Sequence, residues 1–197
     1  MRSHQIFCLL LCLGCATAKD TVDSSTPIPS GIDWTRALDS LAPNPFPPPS
    51  PTWIARFDGL GSVVVGLSVA EATARYGPGF APPADSEGCD YVEIPGGPPG
   101  AMVMVENGRL ARIDIFDARI ATDRGIRIGD TEADVRRAYP GLVRQEEHPY
   151  SGPEWHYLTV TPSGDSTFKL VLETNGWRVV SYRVGLARAA EYIEGCA

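Results

Sequence analysis

The sequence predicts an α+β fold: two tandem copies of a short helix followed by an antiparallel meander, helices on one side of the sheet, after a Pro-rich tether. Three observations predict it. Gly66–Tyr76 lines up with Gly129–Tyr139 at an offset of 63 residues, each after a β-branched run, Val63-Val64-Val65 and Ile126-Arg127-Ile128. Each copy opens on a helix-start signature, Ser68-x-x-Glu71 and Thr131-x-x-Asp134, where the hydroxyl and the carboxylate satisfy the free amides of a first helical turn. Each then carries strand-like runs around Asn-Gly, at Asn107-Gly108 and Asn175-Gly176, the strongest short hairpin signal.

The elements follow in chain order. Arg2 and His4 precede the apolar run Ile6–Leu13, eight residues long, which fits the core of an export signal and is too short to span a bilayer. Two cleavage marks compete behind it. Leu13-Gly14-Cys15 resembles the end of a bacterial lipobox, whose thiol is acylated and whose chain is cut before it, with Cys12 standing where that motif usually has Leu. Ala16-Thr17-Ala18 is a site for ordinary signal peptidase. The first reading makes residues 1–14 the signal peptide and residues 15–52 a lipid anchor on Cys15 plus tether. With Ala16 rather than Asp after the cysteine, the resemblance to Gram-negative lipoproteins implies the outer membrane. The second reading gives a secreted or periplasmic soluble protein.

The tether ends in Pro43-Asn-Pro-Phe-Pro-Pro-Pro-Ser-Pro51, a semi-rigid polyproline spacer. Residues 53–122 form the first repeat and residues 123–197 the second with a C-terminal tail. In each, Gly-Pro or Pro-Gly (77–78 and 140–141) stops the helix, and three strands follow. A two-residue loop at Asn107-Gly108 sets Met104 opposite Ala111 and Met102 opposite Ile113. In the second repeat a three-residue loop, Thr174–Gly176, sets Leu170 opposite Val180 and Phe168 opposite Tyr182, with a bulged turn. That register sends Leu158, Val160, Phe168, Leu170, Leu172, Val180 and Val184 inward. Trp155, Tyr157, Trp177 and Val179 point outward.

The pattern Gly-Leu-Ser-x-x-x-Ala at 66–72 and Gly-Asp-Thr-x-x-x-Val at 129–135, opening a short helix before a meander, resembles the tandem repeats of β-lactamase inhibitory protein. It is also similar to the small outer-membrane lipoproteins of the β-barrel assembly machinery. The resemblance covers residues 53–185 and implies a fold rather than an activity. Inhibitory repeats usually hold a cysteine pair within each half, which this chain does not, so no functional residue is carried over.

Charge and cysteines narrow the function classes. The chain carries −7 at neutral pH, and loss of residues 1–14 removes only Arg2, leaving −8. Phosphate backbones repel such a protein, so no nucleic-acid partner is expected. Cys89 and Cys196 alone remain once Cys8, Cys12 and Cys15 leave or take lipid. In an oxidising compartment they predict a disulfide, against the alternatives of two buried thiols or a metal pair.

Catalytic signals are few. His148 and His156 are the histidines past the signal, neither beside a nucleophile elbow, so a serine or cysteine hydrolase is disfavoured. Glu146, Glu147, His148, Glu154 and His156 form the best metal constellation, but around Pro149–Pro153 they fit no ligand spacing and read as a solvated loop. No metal, cofactor or catalytic residue is expected.

Trp155, Tyr157 and Trp177 are the candidate partner-binding residues if their face is open. The alternative is that the N-terminal segment, through Trp34, covers them. The expected function is a non-catalytic cell-envelope lipoprotein that binds a protein or envelope component through its sheet. The alternatives are a secreted hydrolase inhibitor and an envelope hydrolase.

Overall fold

The computed structural model describes residues 44–46, 50, 52–84 and 88–196. The export signal, Cys15, Trp34 and most of the tether lie outside the described residues. The strands are β1 (Ile54–Arg56), β2 (Gly59–Leu60), β3 (Val63–Val64), β4 (Cys89–Glu93), β5 (Ala101–Glu106), β6 (Arg109–Ile115), β7 (Ala121–Thr122), β8 (Val143–His148), β9 (Gly152–Val160), β10 (Phe168–Thr174) and β11 (Val179–Leu186). Three short helices join them among the described residues: α1 (Val69–Tyr76), α2 (Glu132–Ala138) and α3 (Ala187–Glu191).

The α+β expectation is overturned. Among the described residues the protein is mostly β, with 41% strand against 14% helix, in two sheets of four and seven strands. The larger runs β4-β5-β6-β11-β10-β9-β8 and is antiparallel throughout, so the two halves meet at β6 and β11 in one sheet rather than forming separate meanders. The smaller runs β3-β2-β1-β7, with β7 parallel to β1. The physical reason lies in helix length. The eight residues of α1 bury only Ala72, and α2 buries Val135 and Glu132, too little to close a seven-stranded face. The small sheet contributes Ala55, Leu60, Val63 and the following Val65 to the same core as Val103, Ile113, Leu158, Leu170 and Val184. The β-branched run Val63–Val65 therefore lies outside the large sheet, with Val63–Val64 as a strand of the small one. Ile126 and Ile128 are buried but form no strand.

Local signals hold where they depend on near neighbours. Both helices carry full capping boxes, Ser68 with Glu71 and Thr131 with Asp134. Gly66 and Gly129 share a φ of 91° and donate to Leu110 O at 2.7 Å and Val179 O at 2.9 Å. Asn107 and Gly108 both have positive φ (49° and 72°), the requirement of a tight hairpin whose twist matches its strands.

Register diverges after the turns. Glu106 pairs with Arg109, but a bulge between Met104 and Val105 puts Met104 opposite Arg112 and Met102 opposite Asp114. In β10–β11 the bulge is present between Glu173 and Thr174, yet Leu170 faces Val184 and Phe168 faces Leu186. Four residues, 175–178, separate the strands, so Val179 enters the core in place of Val180. The second half also has a fourth strand. β8 is an outer edge of the large sheet, and its polar residues Arg144–Glu147 are exposed, so no apolar alternation announced it.

The last described part of the tether touches the body. Asn44 Nδ2 donates to Ile128 O at 3.0 Å, and Ser50 N donates to Arg119 O at 2.7 Å.

Candidate functional site

One face of the large sheet packs on the core. The other carries rows of polar side chains, which the pairing register spells out. One row runs Arg144, Thr159, Val171, Arg183, Asp114 and Met102 across β8, β9, β10, β11, β6 and β5. Beside it run Glu146, Tyr157, Glu173 and Ser181. On the other side lie Lys169, Gly185, Arg112, Met104 and Tyr91.

The C-terminal segment crosses these rows. Ala190 of α3 packs with Tyr157 and Val171, while Ala189 packs with Met104 and Ala111. Two buried guanidiniums hold its carbonyls. Arg112 Nη1 donates to Ala189 O at 2.8 Å and Tyr192 O at 2.7 Å, and Arg183 Nε donates to Ala190 O at 2.5 Å. Cations suit this position because the C-terminal end of a helix carries the negative end of its peptide dipoles. Gly185 lets β11 lie close against β6: a Cβ there would stand 2.5 Å from both Ala111 O and Arg112 Cα. The Cys89–Cys196 disulfide fastens the end of the tail to β4, with the Cα atoms 5.3 Å apart, as the cysteine count led us to expect.

Arg112 is fully engaged. Its Nε donates to Asp114 at 2.9 Å and its Nη2 to Tyr91 Oη at 2.5 Å. Burial and the Asp114 charge push the Tyr91 hydroxyl above its usual range. Arg183 differs. It lies 5.1 Å over the Tyr157 ring and makes no ion pair among the described residues. Burial, with Arg112 alongside, pulls it below the usual guanidinium range.

The sequence-predicted site residues separate. Tyr157 is buried beneath α3, a cover supplied by the C-terminal segment, while Trp34, the cover named from sequence, lies outside the described residues. His148 stacks on Tyr157 at 4.7 Å and its Nε2 lies 2.9 Å from Tyr157 Oη. Its Nδ1 accepts from the amides of Tyr150 and Ser151, both at 3.1 Å, so Nε2 carries the proton and donates to the tyrosine. Trp155 is half-buried, its ring 6.3 Å from that of His148. Trp177 is exposed at the β10–β11 turn under the Arg178 guanidinium, 4.2 Å away.

The proposed metal constellation also splits. His148 serves the tight turn, whereas His156 Nδ1 meets Glu132 Oε1 at 2.7 Å beside α2. Among the described residues no group of three or more metal-ligating side chains assembles. Thr174 Oγ1 donates to the same Glu132 oxygen at 2.5 Å. That hydroxyl is fully buried and faces the carboxylate instead of the imidazole, which is not the order of a nucleophile relay.

Sequence reasoning missed Arg112, Asp114 and Arg183. Alternation along β6 and β11 places them outward, but only the C-terminal cover makes them buried.

The outer face retains apolar exposure around the tail. Phe116 is 61% exposed, Tyr150 69% and Ile193 42%. Ile193 forms a ridge between two clefts of about 260 and 380 Å³, both also bounded by Arg183. A third, of about 380 Å³, runs from Ile193 to Tyr150. Among the described residues no helix is long and apolar enough to cross a membrane.

No protein-family model, curated protein or solved structure matches this chain.

Proposed function

We propose that the chain is a non-catalytic, exported lipoprotein of the bacterial cell envelope, anchored through Cys15, that binds a protein or other envelope component on the outer face of its large sheet. The export run Ile6–Leu13 and Gly14-Cys15 support the location. One observation carries the binding reading: Phe116, Ile193 and Tyr150 stay exposed along grooves that meet at one ridge. Large side chains gathered beside clefts are the usual form of a docking surface, because water leaves them on contact. The Trp155-Tyr157-Trp177 surface expected from sequence is replaced by this ridge, since α3 covers Tyr157.

Two experiments test the proposal. A photo-crosslinking residue at Ile193 in intact cells should trap a discrete partner that one at Arg75, exposed on α1, does not. Equal trapping at both positions would sink the docking surface. Palmitate labelling should follow the wild type and vanish in Cys15→Ser; an unlabelled, fully soluble wild type would remove the anchor.

A further inference from the structure

We infer that the cleft between Ile193 and Phe116 binds a small organic carboxylate bearing an apolar substituent, with Arg183 as its anchor. Arg183 is only 6% exposed, yet it lacks an ion pair among the described residues. A guanidinium stays protonated at neutral pH, and a buried charge without an opposite partner is costly. Its Nε is fixed on Ala190 O, which orients the planar fork while the group borders both clefts. Two carboxylates, Asp114 and Glu173, also border this cleft and lie near Arg183 beyond ion-pair distance. Asp114 is held by Arg112 at 2.9 Å. Glu173 accepts from Ser181 at 3.2 Å and lies 3.4 Å from His148 Nε2.

An external carboxylate would supply the direct ion-pair partner that these two do not, since its two oxygens match a guanidinium fork. Met102, Phe116 and Ile193 then offer an apolar wall for the rest of the molecule. A volume of about 380 Å³ falls in the range of small-ligand sites. The site shares a face with the docking proposal but stands without it, because its test uses purified protein and no partner.

The experiment is calorimetric titration of the tail-intact, oxidised protein with 3-phenylpropionate and with its neutral amide. The carboxylate should bind about 10- to 100-fold more tightly than the amide, as one charge-assisted contact allows. Arg183→Gln should bring the two together, and Arg183→Lys should recover only part of the difference. Should Arg183→Gln not fold, Ser181→Trp fills the cleft while leaving Arg183 in place, and should abolish binding of the carboxylate. Equal affinity for acid and amide, no measurable binding of either, or undiminished binding to Arg183→Gln or Ser181→Trp would overturn the inference.

Discussion

Replacing Arg112 by Met tests the claim that a buried cation latches the C-terminal segment. Arg112 is 3% exposed and its carboxylate partner Asp114 is 7% exposed. Methionine keeps most of the stem but leaves Asp114 with no ion pair and takes the donor from Ala189 O, Tyr192 O and Tyr91 Oη. Breaking a buried pair on one side costs about 3–5 kcal/mol, because the remaining charge stays desolvated. For a chain of this size each kcal/mol is about 2–4 °C, so Tm should fall by roughly 6–20 °C. Urea unfolding followed by tryptophan fluorescence measures the loss directly. The double variant Arg112→Met/Asp114→Leu removes both charges and should regain at least about half of it. A single variant within about 1 kcal/mol of wild type, or a double variant no better than the single, refutes the latch.

Three further outcomes are expected. Cys89→Ser/Cys196→Ser opens a loop of 107-residue separation and should lower stability by about 2–5 kcal/mol, with the wild type in reductant matching it in the same urea titration. Tyr139→Phe should be neutral or stabilising by up to about 1 kcal/mol, because Tyr139 Oη is buried without a hydrogen-bond partner among the described residues. Burial pushes that hydroxyl up to about 12, so its contribution is complete below the unfolded value near 10 and is lost as pH rises from there toward about 12. Tyr139→Phe should accordingly blunt alkaline unfolding in a pH series. At the acid end, burial would raise Asp134, but hydrogen bonds from Thr131 and Arg137 hold it below the usual carboxylate range. The Arg119 hydrogen bond does the same for Asp117. A depressed carboxylate stabilises above its unfolded value near 4 and loses that contribution as pH falls through the folded value. Urea midpoints should therefore drop below about pH 4, and less steeply in Asp134→Asn.

Much of the local structure was legible in the residues. The two capping boxes, the Asn107-Gly108 turn and the strand character of β5, β6, β10 and β11 each depend on neighbours a few positions away. The disulfide was legible by a different route, since the export reading leaves two cysteines for one oxidising compartment. What escaped was parity. A bulge adds one residue, and one residue moves a side chain to the other face, so the bulge at Met104/Val105 turned Met102 and Met104 away from the core, while the longer loop 175–178 slid β11 along β10. β8 escaped because its residues are polar on both sides, as an edge strand permits.

The binding face was the least legible part. Trp155, Tyr157 and Trp177 alternate as outward residues should, but alternation cannot say what lies on top of them. α3, with Ala189 and Ala190 buried, reads in sequence as a weak five-residue segment.

The sequence by itself determined the caps, the Asn107-Gly108 turn, the pairing of the cysteines and the acidic balance, because each follows from composition or from contacts near in the chain. Tertiary structure decided that β1–β3 and β7 close the core as a second sheet. It also decided that Arg112 reaches carbonyls 77 and 80 residues away and that Arg183 is buried without an ion pair among the described residues. Those facts arise where distant segments meet, and an arginine carries the same letter whether water or a helix end lies beside it.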